Sequence, residues 1–170
     1  GYILPILDAP VLQRLRYIRQ LGFSYLVYPG ANHTRFEHSL GTMFLADLMA
    51  RQLLLSPDER QLVISTALIH DIGHGPFSHA IEPAMKELCG RAHHDTAWLT
   101  EDPDLTSILA GHGIDTGQSA ALLDGEHELS GILHGELDVD RMDYLLRDAH
   151  YTGVPYGTVD AHRLIRNTVI

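Results

Sequence analysis

The 170-residue chain is 45% hydrophobic and 20% charged, which predicts a single domain over residues 1–170 that is folded nearly throughout. Its 12 Lys+Arg against 22 Asp+Glu give a formal net charge of -10, the wrong sign for a broad nucleic-acid surface but compatible with a small phosphorylated ligand held in a cleft. The single cysteine, Cys89, excludes a disulfide framework, and no apolar run approaches the ~20 residues that span a membrane, so we expect a cytoplasmic protein without a membrane segment.

The first predicted element is an amphipathic helix. Apolar residues recur every third position over 12–21, as on the buried face of a helix, with Asp8 as a cap, Pro10 in the first turn and Gly22 as a stop. The next segment, 23–28, is aromatic and β-branched between turn residues. This composition predicts a short extended piece in a small hairpin or lip.

Longer helices are predicted next. Apolar residues recur at helical spacing from Thr34 to Leu55, which indicates a second helix. The sequence Ser56-Pro57-Asp58-Glu59 combines a cap, a first-position proline and a glutamate three residues after the cap, and so predicts a helix through the run 62–70. Gly73, Gly75 and Pro76 end that helix. Further helices are predicted over 82–88 with Pro83 at the start, around Trp98, and over 105–110, 117–123, 128–133, 139–149 and 160–167.

These elements predict an all-α fold, a compact bundle of many helices with at most a short β-hairpin, because no alternating strand series occurs. The last three residues, 168–170, look like the start of another apolar element. We therefore expect the domain to continue beyond the C-terminal residue.

An imidazole and a carboxylate stand together where the third helix is predicted to end. His70 and Asp71 close an apolar run, two glycines follow, and His74 lies about one turn later. Both side chains of the doublet can reach one ion above the helix end. Nitrogen and oxygen ligands suit Mn, Fe, Zn or Ni, and a site with open coordination positions is typical of hydrolysis.

Four ordered stretches resemble the HD superfamily of metal-dependent phosphohydrolases, and in particular its deoxynucleoside triphosphate triphosphohydrolase branch. They are LQRLRYIRQLG at 12–22, RFEHSLG at 35–41, ALIHDIGHGPFSH at 67–79 and LDVDRMDYLLRD at 137–148. This resemblance implies an all-α HD-domain bundle and hydrolysis of deoxynucleoside triphosphates to deoxynucleoside and triphosphate. It also implies one divalent metal ion, Mn, Fe, Zn, Ni or Mg, with His38, His70, Asp71 and Asp140 as ligands.

The resemblance further assigns the catalytic groups. A metal-activated water would attack the α-phosphorus, with triphosphate as the leaving group. His94 is the expected general acid or base, in a register that its neighbour His93 leaves open by one residue, with His74 and Glu82 near it. His79 would contact the substrate phosphate or the leaving oxygen, or orient another group instead.

The resemblance also places the nucleotide. Arg35 suits a phosphate, since a guanidinium offers paired donors. Gln20 and Leu21 would border the sugar and reject a ribose 2′-hydroxyl, while Tyr144 and Asp148 follow Asp140 at four-residue steps along one helix and share its face. The residues that resemble a regulatory site for a guanine nucleotide are Asp8, Gln13 and Arg16.

Several alternatives stay open. Asp8 could serve only as a helix cap, His38 could be a helix-surface histidine, and Asp140 could be a first-turn acid favoured by the helix dipole. At the level of function, the alternatives are an HD-type nucleotidase, a cyclic-nucleotide phosphodiesterase and a non-catalytic nucleotide sensor. The expected partners are a nucleotide substrate, a regulatory nucleotide and further copies of the chain in a homo-oligomer.

Overall fold

The chain folds as a bundle of α-helices in the computed structural model, which describes residues 1–90 and 95–169 apart from the side chains of Ser78, His79 and Cys89. Within these residues β-structure is limited to one bridge, between Arg19 and Thr34. The predicted all-α fold is therefore confirmed. The α-helices of the described residues are α1 (Ile3–Leu7), α2 (Pro10–Gln13), α3 (Arg35–Gln52), α4 (Pro57–Ile69), α5 (Ser78–Cys89), α6 (Trp98–Glu101), α7 (Pro103–Gly111), α8 (Thr116–Leu123), α9 (Val139–Thr152) and α10 (Ala161–Arg166).

Two capping boxes fix the starts of the central helices. In α3, the Thr34 side chain accepts from the Glu37 backbone N–H while the Glu37 carboxylate accepts from the Thr34 backbone N–H. Ser56 and Glu59 form the same pair at the start of α4, as the sequence predicts. Each box satisfies two backbone donors that the first helical turn leaves without partners.

Replacing Ser56 by alanine is expected to lower the free energy of unfolding by about 1 kcal/mol, because the cap bond to the Glu59 N–H is lost. Ser107 provides the control, since it is an exposed serine inside α7 and alanine is the better helix former there. Denaturant unfolding of both variants tests the prediction. Equal stability of the two variants would mean that the Ser56 cap contributes nothing.

Helix α4 runs through the centre of the bundle. It packs against α3 and α8, while α3 also packs against α9. Every residue from 62 to 69 is buried, so this half of α4 has no solvent-exposed face. The end of α4 therefore delivers the residues that follow it, His70 and Asp71, from within the core.

Among the described residues, no helix has the length and apolar character needed to cross a membrane.

The N-terminal segment differs from the predicted single helix. Helix α2 passes into a 3-10 helix, Arg14–Tyr17, and the chain becomes extended at Ile18. It leaves the helix there because the Ile18 carbonyl accepts from the Arg35 backbone N–H, at the bridge that closes the 19–34 loop. The predicted cap at Asp8 is also wrong: Ala9 is the N-cap of α2, and Asp8 instead ends α1.

The aromatic segment after Gly22 is not extended. It forms a 3-10 helix, Gly22–Leu26, because no strand in the described part of the chain lies beside it to accept its backbone hydrogen bonds, and the Arg19–Thr34 bridge forms outside it. Helix α5 begins at Ser78, so Pro83 lies inside it rather than at its start. The predicted helix over 128–133 shortens to a 3-10 turn, Ser130–Ile132.

Candidate metal centre and substrate cavity

Three helices bring the four predicted metal ligands together. His38 lies in the first turns of α3 and is 1% exposed, His70 is the C-cap residue of α4, Asp71 follows it, and Asp140 lies in the first turn of α9. The capping box of α3 and the buried run of α4 thus set the positions of two elements of the cluster. Residues from 38 to 140 in the sequence meet at one point.

The ligand atoms are within reach of a single ion. His38 Nε2 lies 3.3 Å from His70 Nε2 and 2.8 Å from Asp140 Oδ1, and His70 Nε2 lies 3.5 Å from the same oxygen. The candidate atoms of His38, His70 and Asp71 all lie within 4.8 Å of one another. Two nitrogens and two carboxylates form a donor set that suits divalent transition metals, so the residues present fit a metal ion.

The other ring nitrogens of both histidines are already engaged. His38 Nδ1 donates to Asp143 at 2.7 Å, and His70 Nδ1 lies 2.8 Å from the Ala67 carbonyl. These bonds leave each Nε2 facing the cluster. Orientation of a metal-binding imidazole by a partner on its second nitrogen is the usual arrangement in metal sites.

Two guanidinium groups hold the carboxylates around the cluster. Arg35 Nη1 donates to Asp71 Oδ2 at 2.6 Å, with both residues buried. Arg147 donates from Nε and Nη2 to the two oxygens of Asp143, each at 2.9 Å. The sequence motifs contain Asp143 and Arg147, but their spacing gives no sign that they support His38.

The buried charges shift one another's titration. Burial by itself lowers the pKa of His38, but hydrogen bonds to Asp140 and Asp143 outweigh it and raise this pKa to about 10. Burial also opposes the charged form of His70, yet the nearby carboxylates raise its pKa. Conversely, burial raises the pKa of Asp71 and Asp140, and the surrounding cationic groups more than reverse it, so both pKa values fall well below their usual range.

Metal affinity is expected to increase with pH. The pKa of His38 near 10 means that the metal-free imidazole carries a proton at neutral pH, which an ion must displace. Affinity should therefore rise about tenfold per pH unit for each displaced proton, until the pH passes that pKa. The stability of the metal-free protein changes with pH in the opposite direction to metal affinity. The stabilisation from protonated His38 is complete below the unfolded pKa of about 6.5 and disappears as the pH rises through the folded pKa.

Calorimetric titration with Mn²⁺ in buffers of different ionisation enthalpy would count the released protons. An affinity that does not change with pH, with no buffer-dependent heat, would contradict the prediction.

The cluster opens into a cavity of about 490 Å³, called the main cavity below. All five residues predicted to bind the nucleotide line it together with the four predicted metal ligands and His74. Helix α9 explains part of this convergence, since Asp140, Tyr144 and Asp148 follow one another at four-residue steps and lie on one face of the helix. The five are Gln20, Leu21, Arg35, Tyr144 and Asp148.

One wall of the main cavity and one supporting residue were not predicted from the sequence. Thr96, Trp98 and Leu123 line it, from the turn before α6, the first residue of α6 and the last residue of α8. His33, fully buried, donates from Nε2 to Asp148 at 2.7 Å and stacks on Tyr151 with ring centroids 4.6 Å apart. The two partners of the first bond are 115 positions apart, so no local pattern could have revealed it.

Only two of the four predicted catalytic side chains, His74 and Glu82, fall among those that the structure describes. His74 is buried, lines the main cavity, and has its Nε2 3.3 Å from Asp71 Oδ1. Glu82 lies on α5 with its carboxylate 3.0 Å from the Lys86 ammonium. His94 lies outside the described residues, and so does the side chain of His79, so both roles stay predictions.

Two of the three residues predicted to bind a regulatory nucleotide contact each other. Gln13 accepts from Arg16 Nε at 2.6 Å and donates to the Leu7 carbonyl at 2.7 Å. The Arg16 guanidinium lies 3.7 Å from the centre of the Phe36 ring. Asp8 is exposed. The regulatory nucleotide and the homo-oligomer remain predictions.

Comparison with known proteins identifies the family. The model of the HD domain matches residues 35–148, which contain all four residues of the candidate metal cluster. The chain belongs to the HD-domain family. An uncharacterized protein of Methanocaldococcus jannaschii is 42% identical to this HD domain over 165 residues, with 96% of the chain and 34% of that protein covered.

Other relatives carry functional names. A deoxynucleoside triphosphate triphosphohydrolase SAMHD1 homolog of Dictyostelium discoideum is 34% identical over 89% of this chain and 34% of its own length. Among solved structures, a hypothetical protein from Aquifex aeolicus has a TM-score of 0.87 at 37% identity, and a phosphohydrolase from Bacteroides thetaiotaomicron has a TM-score of 0.86 at 34% identity. Both comparisons cover 100% of this chain, and 47% and 43% of those chains. This HD domain thus spans about a third of the curated relatives' length and less than half of each solved structure.

Proposed function

We propose that this HD domain is the catalytic part of a metal-dependent phosphohydrolase that converts deoxynucleoside triphosphates to deoxynucleoside and triphosphate. One observation carries the proposal. The metal-ligand cluster and all five side chains that resemble nucleotide-binding residues line the same cavity. The names of relatives such as the Dictyostelium protein support the choice of substrate.

The four cluster residues would hold one divalent metal ion. When bound, the ion would supply Lewis-acid chemistry, activating water and neutralising charge on phosphoryl oxygens. Asp143 and Arg35 keep His38 and Asp71 in position through the bonds at 2.7 Å and 2.6 Å. Because these groups are buried and already oriented, little reorganisation is needed when substrate arrives.

Other residues of the main cavity would handle the sugar and the protons. Leu21 offers a surface that cannot hydrogen-bond a ribose 2′-hydroxyl, so burying that group against it is unfavourable. Asp148, held by His33, accepts hydrogen bonds and suits a sugar hydroxyl. His74 lies beside Asp71 within the main cavity and can hold a proton at Nε2, while His94 remains the predicted general acid or base.

Product identity tests the proposal. The intact protein is incubated with Mn²⁺ and each deoxynucleoside triphosphate, and the products are followed by phosphorus NMR. Release of intact triphosphate is expected, and no turnover is expected from Asp140→Asn, which preserves the shape of a cluster side chain but removes its charge. Release of phosphate from monophosphates alone would identify a nucleotidase. Binding of nucleotides without any turnover would identify a sensor.

A further inference from the structure

A second, smaller pocket adjoins the main cavity. It has a volume of about 240 Å³ and shares Gln20, Leu21 and Arg35 with the main cavity. Its remaining walls include Phe23 and Phe77. The shared residues form the boundary between the two spaces, and we call the smaller space the side pocket.

The walls of the side pocket differ in chemistry from those of the main cavity. The side pocket is lined largely by apolar side chains, those of Leu21, Phe23, Phe77 and Ala80. The main cavity instead holds the cluster of imidazoles and carboxylates. Polar groups in the side pocket come mainly from long side chains such as Arg19, whose guanidinium is fixed 4.0 Å from the centre of the Tyr25 ring. Apolar faces with a few polar groups match a flat heteroaromatic ring, which has apolar faces and polar edges.

The aromatic pair in the side pocket is maintained against a conformational cost. The rings of Phe23 and Phe77 stack with centroids 4.1 Å apart and an angle of 11° between their planes. Phe77 has a φ of +58°, in the left-handed region that is unfavourable for a residue with a side chain. Phe23 is 57% exposed and Phe77 38%, so this pair does not fill the core. Strain retained at an exposed aromatic residue is typical of ligand-binding positions.

A buried acceptor stands at the junction of the two spaces. Gln20 lines both, and its Oε1 is buried without a hydrogen-bond partner among the described residues. A buried carbonyl without a donor is unfavourable, because it has given up its hydrogen bonds to water. An N–H or O–H group on a bound ligand would relieve that cost after a small rotation of the amide.

We propose that the side pocket binds the nucleobase of the substrate, with an outer face of the stacked Phe23–Phe77 pair as its stacking surface. The inference rests on the proposed function for the position of the phosphates, which the main cavity would hold at the cluster. The sugar then lies at Leu21, between the two spaces, and the base extends beyond it. Because every base has an aromatic face, this surface favours a nucleotide over a base-free triphosphate and discriminates only weakly among the four bases.

Binding measurements with different ligands distinguish the contribution of the base from that of the phosphates. The intact protein is titrated with three ligands: deoxyadenosine triphosphate, the 2-aminopurine deoxynucleoside and inorganic triphosphate. Binding of the 2-aminopurine deoxynucleoside is followed by its fluorescence. In Phe23→Ala, both base-containing ligands should bind roughly tenfold more weakly or worse, while inorganic triphosphate binds as before. Phe23→Tyr keeps a ring and should restore binding. Phe44→Ala, the matched control, removes another half-exposed phenylalanine (54% exposed) outside both spaces and should bind all three ligands normally.

The other outcomes are equally defined. Unchanged nucleoside binding in Phe23→Ala, equal loss for inorganic triphosphate, or absence of nucleoside binding by the unaltered protein would each overturn the base subsite. Loss of nucleoside binding in Trp98→Ala instead would place the base against the opposite wall and would also overturn it. Failure of the proposed function would be a separate result. The unaltered protein would then bind the nucleoside and Phe23→Ala would not, yet the unaltered protein would release no triphosphate from deoxynucleoside triphosphates.

Discussion

Asp71→Ala is expected to lose both metal binding and stability. The substitution removes one of the four cluster residues and also takes the carboxylate partner, at 2.6 Å, from the buried Arg35 guanidinium. Breaking a buried ion pair from one side is unfavourable by about 3 kcal/mol or more, because the remaining charge loses an opposite charge in a poorly solvated place. Denaturant unfolding in the presence of a chelator measures this loss without any contribution from the metal.

A double variant separates the two effects. Arg35→Met with Asp71→Leu replaces both charges by apolar groups and should recover most of the lost stability, since a buried pair is often no more stable than a well-packed apolar pair. Metal binding and turnover should remain abolished, because a ligand is still missing. If Asp71→Ala unfolds as the unaltered protein does without metal, the ion pair with Arg35 does not stabilise the fold.

Asp140→Asn provides the comparison for that result. Its side chain is 33% exposed, so solvent can compensate its partners in part. It should lose the metal with a smaller change in stability than Asp71→Ala. This difference is the reason for choosing it as the inactive control in the product assay.

Local sequence signals predicted the parts of the fold that depend on local chemistry. The Ser56-Pro57-Asp58-Glu59 cap, the helical spacing after Thr34 and the periodic run of α9 all appear as helices where expected. The errors lie where a distant contact prevails over local preference. Ile18 leaves its helix because its carbonyl pairs with the Arg35 N–H, and Gly22–Leu26 forms a 3-10 helix because no strand of the described residues lies beside it. Neither cause is present in the segment itself.

The same distinction applies to the site. The resemblance named cavity residues because its motifs include them, and the spacing of Asp140, Tyr144 and Asp148 gave them one helical face. It gave no indication of His33 or the wall formed by Trp98, whose roles arise only from packing between elements far apart in sequence. Residues that support or enclose a site are harder to predict than its ligands, because they have no characteristic chemistry of their own.

Gly41→Ala is expected to weaken metal binding although Gly41 touches no ion. A methyl group there would lie 2.6 Å from Asp143 Cγ and also collide with the Arg147 guanidinium. Arg147 is long and can move, but Asp143 is short and holds His38 Nδ1 at 2.7 Å. Displacing Asp143 should reduce metal affinity by about 10- to 100-fold, the usual effect of losing a partner of a metal ligand. Crowding should also lower the free energy of unfolding by about 1–3 kcal/mol.

Gly111→Ala is the matched control, because Gly111 is also a helical glycine but a methyl group there meets nothing within 4 Å. It should be neutral or slightly stabilising, since alanine restricts the unfolded chain more than glycine does. Calorimetric Mn²⁺ titration and denaturant unfolding of both variants give the comparison. Gly41→Ala with unaltered affinity would show that His38 keeps its orientation without Asp143, and adding Asp143→Asn to Gly41→Ala should change little if both act on that one bond.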